Sequence, residues 1–173
     1  MLIRKLMEAR RADVEIAPEI HAALVDSLFA SIASMFVGAV ACAVVAGAVA
    51  IEVGDARMLV ASVAILTVGC LRVVSALLYK RAKAGGRSPD PRLWESVYAL
   101  GAWAFGGLLG LMSWMAIAPG IGPSVQMVLT TTLAGYTAAI AGRNSARPFI
   151  AIAQLTLATL PMAALWEPPL TLA

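Results

Sequence analysis

The sequence predicts an all-α membrane protein, a bundle of about five transmembrane helices. Three observations carry that reading. Of 173 residues, 61% are hydrophobic, well above the ~45–50% of a water-soluble domain, and the mean hydropathy is +0.86. Charged residues make up only 13% of the chain and fall in clusters. Between the clusters lie apolar runs near the ~20 residues that a helix needs to cross hydrocarbon.

The first run, 27–51, has no charge. Its 25 residues exceed the ~7–15 of a signal-peptide core, so a retained span is expected. The second, 58–79, holds one charge, Arg72. The third is 97–118, the fourth 123–141 and the fifth 149–166. Before them lies a basic leader, 1–26, and after them a short tail, 167–173. Leu2, Ile3, Leu6 and Met7 alternate with Arg4, Lys5, Arg10 and Arg11, which suits either an interfacial helix or a solvated tail. Pro18 is expected to start a helix that continues into the first span.

The charges set the expected topology. Arg4, Lys5, Arg10, Arg11, Lys80, Arg81, Lys83, Arg87, Arg92, Arg143 and Arg147 all fall on one side if the spans alternate. The other side has Glu52, Asp55, Arg57 and Glu167. Basic short loops stay in the cytoplasm. The N-terminus is therefore expected inside, and five spans put the C-terminus outside. Tyr79, Trp94 and Tyr98 would mark the inner headgroup zone, and Trp114 and Trp166 the outer one.

Local chemistry supplies the turns. Gly54-Asp55 and Pro119-Gly120 are turn pairs. Asp90-Pro91 reads as an N-cap followed by a first helical residue. Gly142 is expected to close the fourth span, and Pro148 to open the fifth.

Helices in lipid associate through close backbone approach. Ala30, Ser34, Gly38, Cys42, Ala46 and Ala50 form a small-residue seam on the first span. Gly106 and Gly110 make a GxxxG pair, and Ala134, Ala138 and Gly142 repeat that spacing. Each is a candidate contact, within the chain or with a homodimer or other membrane partner.

Arg72 is the one charge deep in a span, seven residues before Tyr79, or about 10 Å from the inner end. It can snorkel, bond a neighbouring helix, or serve a ligand. Most threonine hydroxyls are expected to bond their own helix. Tyr136 and Gln154 are candidates for bonds between helices, or for a polar pocket of the fourth and fifth spans. Arg143, Asn144 and Arg147 form a compact basic turn suited to topology, lipid phosphate or a cytoplasmic partner.

Several classes are argued against. His21 precedes the first span, so haem ligation and histidine-assisted intramembrane proteolysis lack their residue. Asp26, Glu52 and Glu95 lie outside the spans, against proton-coupled transport. Cys42 and Cys70 have no metal-ligand spacing. No phosphate-binding glycine loop and no nucleic-acid face occur. No cofactor and no catalytic residue are expected, and the bilayer is the expected partner.

The wording of the spans adds a resemblance. Ser27-Leu28-Phe29-Ala30-Ser31, Gly69-Cys70-Leu71-Arg72-Val73, Trp94-Glu95 with Gly101-Ala102-Trp103, Thr130-Thr131-Thr132, Ala134-Gly135-Tyr136, Ile140-Ala141-Gly142-Arg143-Asn144 and Arg147-Pro148 are its residues. Over about 20–166 the chain resembles the N-terminal membrane region of alphaproteobacterial diguanylate cyclases and phosphodiesterases. The resemblance implies a sensory or anchoring module in a bacterial inner membrane, signalling as a dimer to cytoplasmic PAS, GGDEF or EAL domains. This sequence has no GGDEF or EAL motif, so no cyclic di-GMP chemistry is expected of it. A cytoplasmic output after this N-terminus needs an even span count, and five are counted, which leaves a fragment that lacks a sixth helix, a truncated reading frame, or a protein that ends outside. The alternatives are a small transporter or channel subunit, and a structural partner of another membrane protein.

Overall fold

The computed structural model of the chain describes residues 18–86, 89–117, 121–144 and 147–163. They form six helices and no strand: α1 (Pro18–Leu28), α2 (Ile32–Val53), α3 (Ala56–Ala84), α4 (Pro91–Met115), α5 (Pro123–Arg143) and α6 (Pro148–Ala163). The basic residues of the leader, Arg87, Pro119-Gly120, Trp166 and Glu167 lie outside the described residues.

Three helices, α2, α3 and α4, are long and apolar enough to cross a membrane. The 21 residues of α5 have the length, but Gln126, Thr130, Thr131 and Thr132 dilute its apolarity. The 16 described residues of α6 reach about 24 Å, short of a ~30 Å hydrocarbon core. By contrast α3, with 29 residues, reaches about 44 Å, longer than such a core.

The sequence accounts for most helix ends. Gly54 takes a left-handed φ of 69° and donates to Ala50 O, closing α2. The next residue, Asp55, caps α3 by accepting from Arg57 N at 2.7 Å. Asp90 caps α4 by accepting from Arg92 N at 3.0 Å, with Pro91 first in the helix. Gly142 does not close α5. The helix runs on to Arg143, and Asn144 N donates to Ile140 O at 2.9 Å.

One break was not expected. The helix from Pro18 does not run into the first span but stops at Leu28. Phe29 N and Ala30 N bond back to Asp26 O and Ser27 O, tightening the last turn. Lys80 Nζ donates to the freed Ala30 O at 3.1 Å, and Ser31 Oγ accepts from Ser34 N to cap α2. The break turns α1 across one end of the bundle. Val25, Leu28 and Phe29 cover the core there.

Packing runs α2 against α3, α3 against α4, and α4 against α6, with α5 closing the bundle against α2, α4 and α6. Gly69 lets α2 approach: a Cβ there would lie 2.9 Å from Ala39 Cβ. On α4, a Cβ on Gly106 would lie 3.1 Å from Gln154 O. A Cβ on Gly110 would lie 2.6 Å from both Leu157 O and Ala158 O. The α2 seam divides. Cys42, Ala46 and Ala50 are buried, whereas Ala30 and Ser34 are exposed and a Cβ on Gly38 would meet open space. Ala134, Ala138 and Gly142 all face outward.

Candidate functional site

The polar side chains gather toward one end of the bundle, where α1, the end of α3, the start of α4 and the α5–α6 turn meet. Arg147 is 1% exposed, and its Nε lies 2.9 Å from Glu95 Oε1. Its Nη2 donates to Glu95 Oε2 at 2.9 Å, and His21 Nε2 lies 2.8 Å from the same oxygen. Pairing and bonding of this kind offset the cost of burying a guanidinium. Arg147, which the sequence offered for topology, lipid phosphate or a cytoplasmic partner, faces the interior. Pro148 starts α6 immediately after it and turns it inward beside α4.

A second set of bonds begins at Tyr98. Its hydroxyl donates to Asn144 Oδ1 at 2.8 Å, and Asn144 Nδ2 donates to Gln154 Oε1 at 2.9 Å. Gln154 Nε2 then reaches the Tyr136 hydroxyl at 2.5 Å. Arg147 N bonds Asn144 O at 2.9 Å, so the two sets meet in the α5–α6 turn. The chain ties α4, α5 and α6, and it satisfies buried amides that would otherwise be costly.

Beside Tyr136 lies a cavity of about 300 Å³ between α2, α3, α4 and α5. Arg72 and Arg143 both line it, with Thr132 and Cys42. Arg72 is 9% exposed and does not snorkel. Its stem crosses α4 at Gly101, where a Cβ would lie 2.9 Å from Arg72 Cγ. Its guanidinium carbon sits 5.8 Å from the Tyr98 ring centroid and 5.3 Å from that of Phe105, a cation–π arrangement. Arg72 Nε is buried without a hydrogen-bond partner. Arg143 Nη2 donates to Ser34 Oγ at 2.9 Å.

Of the residues singled out in the sequence, the cavity brings together Arg72, Tyr136 and Arg143, with Gly38 and Cys42 from the seam. Asn144 and Gln154 stand behind it in the hydrogen-bond chain. Gly106 and Gly110 serve the α4–α6 contact, away from the cavity. Threonines 132, 156 and 159 bond their own helix carbonyls.

Sequence reasoning missed the Glu95–His21–Arg147 cluster, because nothing in the spacing joins residues on three separate elements. Tyr79 and Tyr98, read from the sequence as inner-interface aromatics, pack inward on Phe29 under α1, at centroid distances of 4.4 Å and 5.4 Å. Trp94 meets Tyr79 at 5.3 Å. At the same end Asp26 accepts from the Tyr79 hydroxyl at 2.5 Å and pairs with Lys83. Partial burial pushes the Asp26 carboxyl up, but the bonds from Lys83 and Tyr79 outweigh it and hold the group below its ordinary 3.8.

Among the described residues no cluster of His, Cys, Asp and Glu is suited to a metal ion. Comparison with family models, curated proteins and solved structures gives no match.

Proposed function

We propose that the chain is a non-catalytic sensory or anchoring module that crosses a bacterial inner membrane five times, through α2 to α6. The observation that carries this reading is the buried polar chain from the Arg72 cavity, through Tyr136, Gln154 and Asn144, to Arg147, Glu95 and His21. Such a chain joins a site within the apolar part of the bundle to the end where α1 docks. An event at the cavity would thereby bias how α1 sits, which suits a sensor better than a passive anchor. The basic residues Lys80, Arg81, Lys83, Arg92, Arg143 and Arg147 share the α1 end, and this supports a cytoplasmic position for it. On that topology the residues after α6 begin on the outer side. The cyclic di-GMP output rests on the resemblance of the spans alone.

Two measurements test the reading. In the native gene, Asn144→Leu breaks the chain between Tyr98 and Gln154 and should change cellular cyclic di-GMP at unchanged protein level. An unchanged cyclic di-GMP level would remove that output from the proposal. Purified protein in liposomes should pass no ions or small solutes. Flux that depends on the protein would instead favour a transporter or channel subunit.

A further inference from the structure

The Arg72 cavity holds a charge without a counter-ion among the described residues. Arg72 is more than nine-tenths buried, its Nε has no hydrogen-bond partner, and it forms no ion pair with any described carboxylate. Arg143 lines the same cavity with a single described hydrogen bond, to Ser34, although a guanidinium has five donors. Two cations that line one cavity without an anion repel one another, and the burial of Arg72 strengthens the repulsion. An anion between them would relieve it. Tyr136 and Thr132 add hydroxyls to the lining.

The walls indicate that the anion carries a tail. Between α2 and α5 the cavity is bordered by Gly38 and Gly135, and a Cβ on either would meet open space. Their neighbours on the lining, Ala41 and Ala139, are exposed on the outer surface of the bundle. On a membrane protein that surface faces acyl chains. The small residues therefore leave a lateral slot from the guanidinium groups to hydrocarbon. A free inorganic anion has no use for such a slot, whereas an acyl chain fills it.

We propose that this cavity is a binding site for an anionic amphiphile, with its carboxylate or phosphate head held by Arg72 and Arg143 and its acyl chain leaving between α2 and α5. The inference rests on the sensory reading and names its ligand class. Charge-assisted bonds from two guanidinium groups give the affinity. The slot restricts the site to molecules with a tail. The bonded Tyr136 hydroxyl lies at the mouth of the polar chain, so occupancy would be felt there.

The full chain, purified in neutral detergent, can be tested with oleate, dioleoyl phosphatidylglycerol and inorganic phosphate, read by native mass spectrometry and by equilibrium binding. One equivalent of oleate or of phosphatidylglycerol should be retained, and which of them binds tells the carboxylate from the phosphate head. Arg72→Gln should weaken binding by about tenfold or more, as expected for loss of a charge-assisted contact. Gly135→Leu fills only open space, so it should fold normally, keep both arginines and still block the tail. Arg57→Gln, at the opposite end, should bind as the parent does. No retention of either amphiphile by the folded parent would overturn the site. So would equal binding of inorganic phosphate, or undiminished binding by Gly135→Leu. None of these results alters the cyclic di-GMP or flux measurements, so the site can fail while the sensory reading stands.

Discussion

At the scale of single residues, the decisive question is how each buried charge is balanced. Arg147 is balanced by Glu95, with two nitrogens each 2.9 Å from a carboxylate oxygen. Glu95→Gln would leave a guanidinium buried without its counter-charge, an effect of about 3–5 kcal/mol. Thermal unfolding in detergent should show a large loss for Glu95→Gln. A paired replacement, Glu95→Leu with Arg147→Met, should recover much of it, because no lone charge then stays inside. Asp26 lies nearer the surface, and its effect depends on pH. Its folded pKa lies below the ordinary 3.8, so the carboxylate's contribution is fully present above that value. It is lost as pH falls through the lower, folded value. Docking of α1 should therefore hold at neutral pH and loosen only in strong acid, below about pH 4. Amide exchange of α1 followed against pH should show that loosening, and Asp26→Asn should flatten the profile.

At the scale of elements, α4 meets α6 backbone to backbone at Gly110. Even the methyl of Gly110→Ala would fall 2.6 Å from two backbone oxygens, which cannot rotate away. The helices must separate, and a loss of about 1–3 kcal/mol is expected from such overpacking. A Cβ on Gly107, three residues earlier on the same helix, would meet nothing within 4 Å, so Gly107→Ala should be neutral or mildly stabilising. Thermal scans of the two variants check the pair. The Gly106–Gly110 spacing was readable in the sequence because small residues four apart share a helix face. So were Gly54, Asp55 and Asp90-Pro91, where a side chain or a φ preference decides a helix end locally. Ala134, Ala138 and Gly142 have the same spacing but face outward, so spacing marks a face without saying what covers it. The break at Phe29–Ser31 was not readable. No proline or glycine lies in it, and what stabilises it is remote: the stack of Phe29 on Tyr79 and the Lys80 bond to Ala30 O. The placement of Arg72 had the same difficulty. Its place within an apolar run was plain, but lodging against Gly101, Tyr98 and Phe105 depends on the register between α3 and α4. Hydropathy does not encode that register.

At the scale of the whole molecule, the surface decides what solvent the bundle needs. Ile51 is 78% exposed and Met127 73%, and Val44, Val60 and Leu71 are exposed beside them. Isolated exposed apolar residues are ordinary, but here they run along helix after helix, a continuous surface that water would not leave dispersed. Hydrocarbon is the matching solvent, and it makes the two ends of the bundle chemically distinct. Single cysteines report on that distinction. Cys42 is buried, while Cys70 is exposed on the middle of α3, where lipid would keep a water-borne maleimide away. The parent chain should therefore resist a membrane-impermeant maleimide in intact cells and in inverted vesicles alike. Arg57 and Arg81 are both exposed, at opposite ends of α3. Arg57→Cys should label in intact cells, and Arg81→Cys only in inverted vesicles, since basic ends stay on the cytoplasmic side. Labelling of both from one side would mean that α3 does not cross the membrane. Rapid labelling of Cys70 from either side would put water along the helix face that the bundle offers to lipid.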